Sequence, residues 1–166
     1  MVTIKQINKH LNTFADDHLQ IHGYHFGQFY NIATSGTTNY PLLAVQPEGS
    51  QIEKGQVKYQ FTIAIADLVQ KGDGDWVDIL SDMQRIAVDA ITEIRQGGLA
   101  NTYDWTMQEN ITMTTFKERW DEEVTGWSFP VTLVSDFSYD RCAIPTTGST
   151  SGGVLQEDAG EPLEID

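Results

Sequence analysis

Apolar residues recur along this chain at two spacings, one helical and one alternating, and the switches between them mark its elements. Over residues 3–20, Ile4, Ile7, Leu11, Phe14 and Leu19 fall near one face of a helix. Thr3 followed by Gln6 fits a capping box, in which each side chain covers a free amide of the first turn. Residues 24–33 alternate Tyr24, Phe26, Gln28, Tyr30 and Ile32, the period of a strand, with Gly27 at a bulge. TSGTTN (34–39) is a turn by composition. Pro41 opens a short apolar strand, PLLAV, and the segments starting at Pro47 and at Glu53 are expected to form a loop.

The clearest strand is 56–69, QVKYQFTIAIADLV. Val57, Tyr59, Phe61, Ile63 and Ile65 share one face; Lys58, Gln60 and Thr62 share the other until Ala64 and Ala66, where both faces are expected to be covered. KGDGD (71–75) breaks the chain, with Asp73 or Asp75 placed to cap a helix over 76–95. That helix carries Trp76, Ile79, Leu80, Met83, Ile86, Ala87, Ala90, Ile91 and Ile94 on one stripe, and Gly97-Gly98 is expected to stop it. On its polar side Asp82 and Arg85 form a surface pair, whereas Asp89 and Glu93 repel. Residues 102–119 read as one or two strands through Tyr103, Trp105, Met107, Ile111 and Met113. Residues 125–139 alternate Trp127, Phe129, Val131 and Leu133, and Pro130, lacking an amide donor, requires an edge or a bulge there. The order predicts an α+β domain over 1–145: a mostly antiparallel sheet with an N-terminal helix and one long central helix packed on it. Residues 146–166, rich in Gly, Ser and Thr and then acidic, read as a flexible tail.

Charge narrows the partners. Twenty-four acids against ten bases give a formal charge of −14, a surface that repels phosphate and anionic membranes. With Cys142 as the single cysteine, an intrachain disulfide is excluded. An apolar run long enough for a membrane span is absent, as is the apolar core of a signal peptide at the start, so a cytoplasm, or a particle assembled there, is the expected location.

Catalytic patterns are missing. The acids Asp121, Glu122 and Glu123 are neighbours, whereas an acid/base pair needs two carboxyls held apart in different environments; a solvated hairpin tip accounts for them. His18, His22 and His25 approach a zinc spacing, but Gly23 interrupts the face and no HExxH or CxxC accompanies them. KGDGD begins like a calcium loop and is cut short by Trp76-Val77. Cys142 has no histidine nearby in sequence to act as base, and no phosphate-binding glycine motif occurs. No cofactor or metal is expected, and the chain does not read as an enzyme. Trp105, Trp120 and Trp127 leave open a carbohydrate- or peptide-binding module, and the histidines with a carboxylate leave open a hydrolase.

The order of elements, with DEEVTGWSFPVTLV followed by YDRCAIP, resembles the tail-terminator and tail-completion proteins of tailed bacteriophages, including small neck and tail-tube-capping proteins. The likeness covers about residues 1–145. It implies a structural virion protein, assembled in the host cytoplasm, that closes into a homo-oligomeric ring as a head–tail connector or tail terminator. Its partners would be neighbouring neck, portal-adaptor or tail-tube proteins. DNA would pass nearby without specific binding, and no membrane is involved. On that reading strand 56–69, long enough to recruit a neighbour by an open edge, supplies Val57, Tyr59 and Phe61 to the ring interface. The hairpin adds Trp120, Glu122, Glu123 and Trp127, and Asp78, Asp82, Asp89 and Glu93 are lumen charges.

Overall fold

The computed structural model describes residues 1–35, 38–69, 76–108, 110–120 and 122–147. Part of the 34–39 turn, the KGDGD segment with its expected cap, Asp121, and all of the tail from 148 onward lie outside the described residues. Two compact units divide the chain, Met1–Asp136 and Phe137–Asp166. The first unit is α+β, as expected: helices and one six-stranded mixed sheet. Its strands are β1 (Gly23–Phe26), β2 (Leu42–Glu53), β3 (Gln56–Leu68), β4 (Thr106–Met107), β5 (Thr114–Arg119) and β6 (Glu123–Asp136). They lie in the order β1-β2-β3-β6-β4, with β5 also on β6. Only β1 and β2 run parallel; the other pairs are antiparallel.

Helix α1 spans Ile4–Asp17 and starts with the expected capping box: the Gln6 amide donates to Thr3 Oγ1 at 3.2 Å, and the Thr3 amide donates to Gln6 Oε1 at 2.8 Å. Its buried line is Ile7, Leu11 and Ala15. Ile4 (44% exposed), in the first turn, is outside the core, and so is Leu19 (93%), because the helix ends at Asp17 and His18 is already extended. The strand expected over 24–33 stops at Phe26. Gly27 takes φ +143, closed to most side chains, and the chain turns through a 3-10 segment, Phe29–Asn31, into the short helix α2, Ile32–Ser35.

Strand β2 runs through the expected loop at 47–50. A register shift between Pro47 and Gly49 absorbs the irregularity as a bulge, and the turn shrinks to Lys54-Gly55. Both of those residues have positive φ (49 and 76), the type I′ form whose twist matches flanking strands. β3 is then paired on both sides. Val57, Tyr59, Phe61, Ile63 and Ile65 are buried on the face that carries the helices, and Ala64 and Ala66 are buried on the other. A second cluster covers that other face at one end, where Ile32, Leu42, Ala44, Ala64, Ala66, Trp120 and Val124 meet, with Phe29, Tyr40 and Phe116 against them. Burying a side chain such as Phe129 or Ile63 contributes roughly 2 kcal/mol apiece.

Helix α3 spans Trp76–Leu99 and passes through Gly97 and Gly98 instead of stopping at them. The stop is at Asn101, in the left-handed region with φ 60. The Thr102 amide donates to the Gly97 carbonyl (2.8 Å) and the Asn101 amide to that of Gly98 (3.1 Å), a Schellman motif. The glycines serve contact instead: a Cβ on Gly97 would lie 2.5 Å from the Tyr103 ring, and one on Gly98 2.4 Å from the Trp105 carbonyl oxygen. The helix packs on β3, β6 and β4, and Trp127 Nε1 donates to the Leu80 carbonyl at 2.8 Å, tying sheet to helix.

β4 and β5 are one edge strand interrupted. Both pair with β6, and residues 129–132 of β6 lie between the two pairings. Pro130 sits in that interval, inside an unbroken register with β3. The Thr132 carbonyl accepts from the Gln108 amide on the β4 side. Backbone groups of alternate residues face the same way, so the missing donor of Pro130 faces the interval and β3 loses no bond. In the second unit, the Asp140 side chain accepts from the Cys142 amide to start a 3-10 turn at Arg141–Ala143.

At Gly126 an added Cβ would lie 1.8 Å from the Ile65 carbonyl oxygen. We expect Gly126→Ala to lower stability in urea titrations by about 2 kcal/mol or more. Gly49→Ala, where nothing lies within 4 Å of the added atom, should stay within about 0.5 kcal/mol of the parent.

Candidate functional site

The residues expected at a ring interface are mostly interior. Val57, Tyr59, Phe61 and Trp120 are 5%, 7%, 2% and 8% exposed, and Trp127 is half-buried. β3 is flanked by β2 and β6 along its length, so the open edge expected of it does not exist. Glu122 and Glu123 are exposed at the β5–β6 hairpin, where the Trp120 amide donates to the Glu122 carbonyl at 2.9 Å and Lys117 Nζ lies 3.8 Å from Glu123. The described part of the acidic turn is thus a solvated hairpin tip.

The acids of α3 are not a bare negative row. Asp78 is exposed in the first turn, where the positive end of the helix favours it. Asp82 pairs with Arg85 as expected. Asp89 and Glu93, expected to repel, turn to different partners. His18 Nε2 donates to Asp89 at 2.9 Å, and the Tyr103 hydroxyl donates to Glu93 at 2.6 Å. Because the Gln20 amide donates to His18 Nδ1, the imidazole proton in this contact belongs on Nε2.

The histidines are dispersed. His22 Nδ1 donates to the Tyr40 carbonyl (3.2 Å) and His25 Nε2 to the Gln28 carbonyl (2.9 Å). Among the described residues, no group of three or more His, Cys, Asp or Glu side chains is arranged to hold a metal, and no helix is long and apolar enough to cross a membrane. Cys142 is an exposed free thiol. Trp105 is buried, stacked on Tyr103 at 4.4 Å with His10 edge-on at 5.6 Å, and its indole N–H has no hydrogen-bond partner. The three tryptophans therefore do not form an exposed sugar-stacking face.

Among the described strands, the sheet ends on β2 at one side and on β4 and β5 at the other. On β2 the pair Glu53↔Gln56 closes the two-residue turn, so Gln51 and Glu53 bond toward β3 while Ser50 and Ile52 direct their N–H and C=O groups outward. β1 covers β2 only over Leu42–Val45. On the opposite side Thr114, Phe116 and Glu118 face β6, and Thr115, Lys117 and Arg119 face outward. A cleft of about 410 Å³ adjoins this second edge, lined by Trp76, Thr115, Phe116, Lys117 and Thr125. Trp76 and Ile52 are large apolar side chains left 40% and 62% exposed. Of the two edges, sequence reasoning named the hairpin 111–134 that contains β5, without its outward residues, and missed that of β2. The bulge at Pro47 and the charged run Lys117-Glu118-Arg119 are the local signals that mark them, since edge strands commonly carry such features.

No protein-family model matches the chain, and no curated protein matches it.

Burial pushes the Tyr24 and Tyr103 hydroxyls well above the ordinary tyrosine range, with the Glu93 hydrogen bond and charge adding to the effect at Tyr103; burial also raises Tyr59. The folded chain thus keeps these protons where the unfolded chain begins to lose them, near pH 10. Their contribution to stability is full below that pH and is lost as pH rises above it. Urea midpoints measured across pH 9–11 are expected to fall, and the fall should be shallower in Tyr24→Phe.

Proposed function

We propose that this chain is a structural subunit of a closed ring in the neck of a tailed bacteriophage, acting as a head–tail connector or tail terminator. It assembles in the host cytoplasm, docks between neighbouring neck, portal-adaptor or tail-tube proteins, and lets DNA pass without binding it specifically. The observation that carries the reading is the sheet's pair of open sides. Among the described strands, β2 beyond Val45 and β5 each have a strand neighbour on one side alone, and they run in opposite chain directions. That is what head-to-tail addition of identical subunits requires, since each copy then offers one antiparallel edge to the next. Net charge lends support, because a −14 subunit makes few phosphate contacts that would retard DNA. This support comes from the chain as a whole. Of the helix acids, Asp82 is offset by Arg85, whereas Asp89 and Glu93 accept hydrogen bonds from His18 and Tyr103.

The rival binding-module reading is weakened by burial of Trp105 and Trp120. A hydrolase reading gains nothing from His18, His22 and His25, whose imidazoles have separate partners. Antibody labelling of purified tailed virions, read by electron microscopy, tests the proposal. Label at the junction of head and tail, or at the head-proximal end of the tail tube, is expected; virions that contain no copy of the chain would overturn it.

A further inference from the structure

His18 stands between two helices and is held by both of its side-chain nitrogens. It follows α1 as an extended residue, and its own amide donates to the Phe14 carbonyl at 3.0 Å. Nε2 donates to Asp89 on α3 at 2.9 Å, and Nδ1 accepts from the Gln20 amide at 3.1 Å. The Phe14 side chain lies edge-on at 5.5 Å, and the imidazole is 14% exposed. The turn at Leu19 and Gln20 is loosely anchored. Both residues are exposed, and the Ile21 amide reaches the His18 carbonyl at 3.4 Å. Just beyond, the chain is fixed again: Ile21 is buried, and the His22 amide donates to the Pro41 carbonyl at 2.9 Å.

The two imidazole contacts answer a proton in opposite ways. A neutral imidazole with its proton on Nε2 serves both. Protonation adds an N–H at Nδ1, which then has no lone pair for the Gln20 amide. The same charge turns the contact with Asp89 into a salt bridge, and charge-assisted hydrogen bonds are about twice as strong as neutral ones. The imidazole therefore stays on α3 and the turn gives way. A half-turn of the peptide plane between Leu19 and Gln20 withdraws the amide and brings the Leu19 carbonyl to Nδ1–H. Other charges nearby leave this order unchanged. Arg85 is paired with Asp82, Glu93 accepts from Tyr103, Asp16 and Asp17 at the end of α1 are exposed, and His22 Nδ1 is on the Tyr40 carbonyl. We infer that His18 is a pH-sensitive latch, which ties down the turn at 19–20 when neutral and frees it when charged. Gln20 and Asp89 line a cleft of about 370 Å³ with Gln84, Arg85 and Val88, so the latch sets the shape of that cleft. It acts within one copy of the chain and stands apart from the ring reading.

NMR of the nitrogen-15-labelled full chain tests the latch between about pH 8 and about pH 5, the range in which imidazoles gain their charge. At the upper end the His18 nitrogens are expected to show a neutral imidazole protonated on Nε2, with the Gln20 amide protected from exchange. On acidification the His18 nitrogens and the Gln20 amide should shift along one curve. Protection at Gln20 should fall by about tenfold or more while that at His22 holds. Nuclear Overhauser contacts between the imidazole and Asp89 should persist throughout. His18→Asn should remove the transition from the Gln20 amide. Asp89→Asn keeps the imidazole but takes away the charge that retains it, so its contacts to position 89 should be lost on acidification. The latch is overturned if the imidazole gains its charge while the Gln20 amide stays unmoved, if the charged imidazole leaves Asp89 in the parent chain, or if it remains neutral to the end of the titration.

Discussion

The sheet depends on β3 having a hydrogen-bonded neighbour on each side from Gln56 to Ala66. That stretch lies between β2 and β6, and almost any other arrangement would leave amides and carbonyls buried without partners. That constraint fixes much else. β2 has to continue through Pro47, since ending there would uncover the far half of β3, and the chain meets the proline with a bulge. β6 has to run straight past Pro130, which it does by turning the residue's missing donor to the side where β4 and β5 are interrupted. Two prolines within long strands are thus reconciled with one ladder, by two different devices.

Burial follows from that ladder. One face of β3 and β6 receives α3, with α1 against β1, while among the described residues the other face is covered toward one end, by Trp120, Phe116 and the turn around Phe29 and Ile32. Beyond that cluster the second face is lined by Lys58, Gln60, Thr62, Pro130 and Thr132, polar or modest in size, which suits a surface left to water. The close joins fall at glycines: Gly126 brings β6 against β3, and Gly97 and Gly98 admit the segment from Tyr103 to Trp105. Side-chain volume is withheld where backbones or rings must touch.

Local chemistry was legible in the sequence wherever a rule acts within a few residues. The capping box of Thr3 and Gln6, the alternation of Val57 through Ile65 and the edge requirement of Pro130 all read correctly. Readings failed where a distant partner decides. Gly97-Gly98 has the composition of a helix stop, but its neighbours across space are Tyr103 and Trp105, and Asn101 ends the helix. Asp89 and Glu93 look repulsive until His18 and Tyr103 arrive from other elements. An open edge was expected on β3 for the same reason. Alternation identifies a strand, whereas its rank in the sheet is set by pairing order, which the hydrophobic pattern does not encode.

The open stretch of β2 and the whole of β5 do not lie level with one another. Through the register, Gly49–Glu53 stands beside the end of β6 near Asp136, while β5 stands beside its beginning, Glu123–Ser128. Successive copies joined through those stretches would each be displaced along the strand direction. For such a chain of copies to meet itself, that displacement has to be taken up as shear, with the strands leaning steeply from the rotation axis as they do in a barrel. Subunit width and inclination would then be linked, so the bore of the assembly would be set by strand register as much as by the number of copies.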